Sequence, residues 1–450
     1  RAKYRHAAAV IAREELGDDA LAVEQFGKAL DADPDDMRSF RSIDQLLTEA
    51  GDFRALARAH RKMLKRLGED APIAVLLPLW TRLGEISLDH LDDTDAALAA
   101  FEVASSLEPD NIARHEQLAD LYLEAGDTRR DDAIEELQVL VRHDPDRVEL
   151  YRALSNLYTA AGQTDKSYCL AQALVFLGAA NDAERACIDR HRPAELRAAR
   201  GRLTEELWHK AILHQDEDRH LGAIFTAVCG AVAATTARSA SAFGLSPDDR
   251  SEVGKSSTRV VARVFKYVSD VLALDPEPHL YLLDDSDGIR VANTRSKDTL
   301  IPSVLIGRPH NQTKDDEALA FAIGKRLAYF RPERYLHYAV QTVPRLQAVY
   351  RAAMVASGAA ELELDDDAGK LSEQIAKTVP RPVLDQVAIL VRKLGADRPV
   401  APLIAQWHVS ADLTANRTGL ILCNNLELAA RLIATESQAM STLATKDRLR

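Results

Sequence analysis

Residues Trp80 to Pro109 read WTRLGEISLDHLDDTDAALAAFEVASSLEP. Trp80, Leu83 and Gly84 mark the buried face of one helix. Ala97, Phe101 and Ala104 mark a second, and Pro109 ends it, because proline disfavours helix in the residue before it. The same order recurs on either side. Upstream, Leu16-Gly17-Asp18 is followed by Ala22, Phe26, Ala29, Leu30 and Pro34. Phe40, Ile43, Leu47, Gly51 and Asp52 come next, with no closing proline. Downstream come Leu118, Tyr122, Gly126, Ala133, Leu140 and Pro145, then Tyr151, Leu154, Tyr158 and Gly162. Gly17 and Gly51 are 34 residues apart, and Gly126 and Gly162 are 36 apart. Such a period is the signature of a stacked array of similar small units.

The pattern resembles the tetratricopeptide repeat, a helix-turn-helix unit of about 34 residues. Glycine at the end of the first helix supplies a left-handed backbone residue. Small alanines on the second helix let the two helices approach, and large residues opposite fill the space. Five degenerate repeats are expected over residues 1-180, with short insertions near Asp92 and Arg129. The resemblance implies a superhelix whose concave face is lined by first-helix residues and grips a peptide or partner helix. The exposed first-helix positions expected to make these contacts include Arg41, Gln45, Glu116, Asp120, Arg152 and Asn156. Arg152 and Asn156 stand four apart on one helix face. The pair is similar to half of the carboxylate clamp that some members of the family use for a C-terminal peptide.

Charge narrows the partner. The 450-residue chain carries a formal charge of -12, and its first 180 residues hold 34 acids against 21 bases. That excess disfavours nucleic acid, which requires the opposite sign, and permits a basic peptide or protein surface. The longest apolar stretch, Leu221 to Ala237, is shorter than the roughly 18 apolar residues of a membrane span and reads as a buried helix. Cys169, Cys187, Cys229 and Cys423 are scattered without metal-ligand spacing, which points to a reducing, cytoplasmic setting. The sequence starts at Arg1 without methionine and is expected to be a fragment or processed chain.

Residues 181-253 read as a helical connecting segment. His209, His214 and His220 lie five and six apart, so they do not share a helix face and are expected at the surface, not around a metal. Ser246 followed by Pro247, Asp248 and Asp249 predicts a helix start.

Residues 254-450 change character. His279 to Asp284, Ile289 to Asn293 and Ser303 to Ile306 predict strands. Asp285 to Gly288 predicts a turn, and Asp315 to Phe330 a helix ended by Pro332. Strands leading into a helix beginning Asp316-Glu317-Ala318-Leu319-Ala320 are similar to the gluzincin metallopeptidases of the CAAX prenyl endopeptidase and heat-shock HtpX type. A second match is Asp412-Leu-Thr-Ala415-Asn416-Arg417-Thr-Gly419-Leu420. In that family the first helix carries two zinc-binding histidines and a catalytic glutamate; the first histidine falls here on Gly324, the glutamate on Lys325 and the second histidine on Ala328. Asp412 falls on the third ligand. The resemblance therefore implies a fold without the side chains that hold and activate a metal-bound water, and no metal or cofactor is expected. It also implies a surviving peptide groove with the Ser303 to Ile306 strand at its edge.

No H-E-x-x-H, G-x-S-x-G, phosphate-loop or dinucleotide-loop pattern occurs anywhere. Gly254-Lys255-Ser256 lacks the phosphate loop's first glycine, since Asp249 stands there. Cys423 reads as a buried small residue. The expected fold is mainly α: a tetratricopeptide α-solenoid followed by an α+β pseudopeptidase-like domain with a small sheet. The expected function is a non-enzymatic protein-protein scaffold or adaptor. The alternatives are a structural subunit of a larger assembly and an enzyme of unrecognised chemistry.

Overall fold

The computed structural model describes residues 1–436, apart from 194–195, 197–198, 200, 298 and 396–397. The chain divides into two compact units, Arg1–Ala180 and Asn181–Arg450.

The first unit is five helical pairs. They are α1 (Ala2–Glu14) with α2 (Asp19–Ala32), α3 (Met37–Glu49) with α4 (Phe53–Leu67), and α5 (Ile73–Leu91) with α6 (Thr94–Leu107). Then come α7 (Ile112–Ala125) with α8 (Arg130–His143) and α9 (Val148–Ala160) with α10 (Thr164–Phe176). Asp18, Asp52 and Asp93 start α2, α4 and α6 by accepting a hydrogen bond from the backbone N–H of Leu21, Ala55 and Ala96. Gly17, Gly51, Gly126 and Gly162 occupy the left-handed region at the turn within each pair, with φ between 63° and 70°; in the third pair Asp92 takes that place at φ 51°. The insertion expected near Arg129 is a 3-10 turn, Gly126–Arg129.

A larger irregularity is not visible in the repeat pattern. After α4 the chain turns at Gly68 (φ 72°) instead of a proline. The next helix then starts early, so α5 runs 19 residues. Gly84 lies within α5 under the ring of Phe101, where a Cβ would come within 2.4 Å of the ring. Only glycine lets α6 pack that closely.

The second unit begins with α11 (Asp182–His191), α12 (Glu205–Leu207), a π turn Trp208–Ile212 and α13 (Arg219–Thr236). Read from sequence as a connection, this stretch builds core. Leu221, Phe225 and Val232 of α13 pack with later helices, and Trp208 and Ile212 with the sheet-bearing part. Ser246 accepts from the Asp248 N–H as expected, but caps only a 3-10 turn, Pro247–Asp249.

Next come β1 (Arg250–Ser251), α14 (Val260–Val271), β2 (His279–Leu283), β3 (Ile289–Ala292), β4 (Arg295–Ser296), β5 (Thr299–Leu300) and β6 (Ser303–Gly307). They are followed by α15 (Arg308–Gln312), α16 (Asp316–Leu327), α17 (Leu336–Val340), α18 (Val343–Ser357), α19 (Asp366–Thr378), α20 (Arg381–Leu394), α21 (Val400–Cys423) and α22 (Leu426–Thr435).

The main sheet has the order β1-β2-β6-β3, and β4 pairs with β5 separately. This corrects one expectation: the Ser303 to Ile306 strand is not an edge. β6 pairs parallel with β2 on one side, His279 opposite Ser303, and antiparallel with β3 on the other, Ile289 opposite Ile306. All five of its residues are buried, so its backbone groups are already used and cannot receive a peptide. One core gathers Phe225, Tyr350 and Trp407 from α13, α18 and α21. The other gathers Phe265, Leu280, Ile306 and Ile323 from α14, β2, β6 and α16. Among the described residues no helix is long and apolar enough to cross a membrane.

Candidate functional site

Two places carry the residues singled out by sequence, one in each unit. In the first unit they sit on the first helices of the pairs. Arg41 and Gln45 are exposed on α3, and the Gln45 amide donates to Glu49 Oε1 at 2.7 Å. Glu116 and Asp120 stand one turn apart on α7. Glu116 is half-buried and held by the Arg147 guanidinium at 2.5 Å, which also reaches Glu149 at 3.0 Å. Asp120 is exposed. On α9, Arg152 and Asn156 are exposed, but Arg152 Nη2 donates to the Ala179 carbonyl at 2.5 Å. One of the two clamp-like residues is thus tied to the chain's own backbone.

Two first-helix groups escape a reading of the sequence. Arg114 donates to Thr81 Oγ1 at 2.9 Å and lies over the Phe101 ring at 4.9 Å. His115 is buried; its Nε2 meets the Pro109 carbonyl at 2.8 Å and its Nδ1 meets Glu136 Oε2 at 2.5 Å. Burial opposes its protonation, but the Pro109 carbonyl and the Glu136 carboxylate outweigh that and raise its pKa above the ordinary 6.5. Helical periodicity signals burial at such a position but not its partners.

In the second unit α16 packs against α21, the two helices that carry the metallopeptidase-like matches. No cleft separates them at Gly324: a Cβ there would fall 2.4 Å from Leu422 Cδ1, and one on Gly419 would fall 2.8 Å from the Phe321 ring and 2.9 Å from its carbonyl oxygen. Ala328 is fully buried. Lys325 is 1% exposed, and its ammonium lies 3.1 Å from Asp412 Oδ1 and 2.6 Å from Glu436 Oε2. Arg326 Nη2 holds the other Glu436 oxygen at 3.0 Å. Burial raises the Glu436 carboxyl, yet Lys325 and Arg326 bring it below its ordinary value. Asp412 and Glu436 are thus each paired with a cation of the chain. Among the described residues no three His, Cys, Asp or Glu side chains converge as a metal would require.

His209 and His220 are exposed and His214 is half-buried. Burial pushes the Cys423 thiol up to about 12, so it stays protonated and is a poor nucleophile at neutral pH. Elsewhere in the second unit, a groove of about 1270 Å³ opens beside the end of α13, the start of α18 and the start of α19. Val340, Pro344, Ala348 and Leu371 lie along it, with Arg345, Asp366 and Asp367 at its rim.

The tetratricopeptide-repeat family model matches residues 91–155, which supports the repeat reading of the first unit. A search of curated proteins returns no match. Solved structures with partial likeness include MamA, at 18% identity over 37% of this chain and 92% of that one, TM-score 0.24. A second is YrrB, described as a TPR protein with an unusual peptide-binding site, at 14% identity over 42% and 92%, TM-score 0.26. A third is a thermophilic TPR protein of Thermus thermophilus, at 17% identity over 42% and 99%, TM-score 0.18. Scores this low carry no functional weight. The metallopeptidase resemblance of the second unit gains no support from these matches.

Proposed function

We propose that the chain is a non-enzymatic interaction scaffold whose repeat array grips an extended, basic protein segment along the first helices of its pairs. The observation that carries this reading is a set of exposed carboxylates without cation partners. Asp89 on α5 and Asp120 and Glu124 on α7 are exposed and form no ion pair among the described residues, whereas the neighbouring Glu85 and Glu116 are held by Arg82 and Arg147. In this reading Arg41, Gln45, Arg152 and Asn156 contact the same segment. The acid excess of the first 180 residues adds long-range attraction for a cationic partner. The boundaries 1-180, 181-253 and 254-450 would then separate a binding array from a peptidase-like domain, with Gly324, Lys325, Ala328 and Asp412 marking a position that no longer holds zinc.

Fluorescence anisotropy of a labelled eight-residue lysine peptide with the full chain tests the proposal. Binding should weaken with added salt, and Asp120→Asn with Glu124→Gln should weaken it by roughly tenfold, about 1.4 kcal/mol. Equal affinity of the double variant and the parent would refute the groove assignment.

A further inference from the structure

Helix α4 is a cationic exception in an acidic unit. Its sequence, FRALARAHRKMLKRL, carries six cations and no carboxylate, although the first 180 residues hold 34 acids. Three faces divide these groups. Leu56, Ala57, His60, Met63 and Leu64 are buried. Lys62 and Arg66 turn towards α2 and reach Asp31 at 3.3 and 2.5 Å. Arg54, Arg58, Arg61 and Lys65 remain. They recur four, three and four residues apart, which places them in one line on the helix.

All four are exposed, and among the described residues none has an ion pair or a hydrogen bond. Arg13, Arg38, Arg82, Arg129 and Arg147 of the same unit each reach a carboxylate; other exposed cations there, such as Lys3, Arg41 and Arg142, stand singly and not in a line of four. Like charges at these spacings repel one another. A line of them left without counter-charge, where acids are plentiful, fits a surface whose counter-charge comes from outside.

We infer that this face of α4 docks a short acidic segment of a partner protein, a second binding surface beyond the one proposed for the first helices. Its length is the guide to the occupant. From Arg54 to Lys65 the helix rises about 16 Å, the span of about five extended residues. Asp52 precedes the line, and Glu69 and Asp70 follow it. A long polyanion such as nucleic acid, or the plane of an anionic membrane, would meet these acids and the net negative charge around them; a short run of glutamates or aspartates ends before it does. A scaffold with both surfaces would hold a basic segment and an acidic one at once.

The full chain is titrated against a fluorescein-labelled octaglutamate, with a labelled octalysine, a twenty-residue oligothymidylate and phosphatidylserine vesicles as separate arms. Octaglutamate should bind with an affinity that falls as salt rises. Arg58→Gln with Arg61→Gln should weaken it at least tenfold, while Asp120→Asn with Glu124→Gln leaves it unchanged. Both substituted pairs are exposed, and far-UV circular dichroism reports whether the fold is kept. Independently of any variant, carbodiimide coupling of octaglutamate to the parent chain should modify Lys65 ahead of Lys62, which already faces Asp31. The inference is overturned by no octaglutamate binding, by equal binding to the Arg58/Arg61 variant, by coupling that spares Lys65, or by tighter binding of oligothymidylate or vesicles through the same arginines. The octalysine arm reads the first-helix surface alone, so either site can fail without the other.

Discussion

The two units use the same packing device at different ranges of sequence. In the array, Gly84 receives the ring of Phe101 from the very next helix; in the second unit, Gly419 receives the ring of Phe321 from a helix almost a hundred residues earlier. Hydrogen bonds follow suit. Arg114 reaches Thr81 at a separation of 33 residues and Arg147 reaches Glu116 at 31, each about one repeat away. Arg334 reaches Glu217 at 117, Tyr267 reaches Leu422 at 155, and the His214 N–H reaches Thr414 at 200. An array built from neighbours can absorb an extra turn in α5 without losing register elsewhere. A unit closed by distant pairs depends on every one of them.

The sharpest test of that contrast is Lys325→Met. It strips a buried Asp412 of its cation and removes one of the two cations on Glu436, and should destabilise the second unit by about 3–5 kcal/mol in urea unfolding. Adding Asp412→Leu should recover part of the loss, because the unpaired charge is then gone. A loss under about 1 kcal/mol would break the claim that this cluster closes the unit.

Alanine at Gly84 and at Gly419 compares the two glycines directly. Each added methyl meets a buried ring, and each should cost roughly 1–3 kcal/mol. Hydrogen exchange should separate them: Gly84→Ala should speed opening around α5 and α6 only, whereas Gly419→Ala should speed it across α14, α16 and α21. Uniform acceleration in both would erase the distinction.

The smallest expected effect is a difference in the sign of pH dependence. His115 in the array has a raised pKa. Its stabilisation is fully present below the ordinary 6.5 and is lost as pH rises through the raised folded value. In the second unit His337 stacks on His408 with ring centroids 4.4 Å apart. Burial drives His337 well below 6.5, with His408 and Arg334 pushing the same way; burial also lowers His408, against the pull of Asp412. Tyr329 and Trp407 are the other rings against His337. That unit keeps its stability above 6.5 and loses it as pH falls from 6.5 towards the depressed values. Thermal unfolding at several pH values should show opposite trends for the two units. His115→Gln should flatten the first trend and His337→Phe the second.

The same contrast governs what can be read from the sequence. Gly17, Gly51, Gly126 and Gly162 announce left-handed turns because the requirement is local, and β2, β3 and β6 announce themselves through short apolar runs. Asp92 takes a glycine's place and is legible only as an insertion. The early start of α5 is hidden because Pro78, which lies inside the helix, reads as a helix break. β6 is misplaced at an edge by sequence reading because strand order is set by pairing between distant segments. For the same reason the partners of Lys325 are invisible there: Glu436 lies 111 residues away. That Gly324 and Ala328 carry no ligand atom can be read from each position by itself; the ion pairs of Lys325 cannot.

Zinc titration of the full chain, read by calorimetry and by metal content after dialysis, tests most directly whether a cation of the chain stands where a metal would. The account predicts no retained zinc and no change on Asp412→Ala. One tightly held zinc per chain, released by Asp412→Ala and accompanied by chelator-sensitive peptide cleavage, would contradict it.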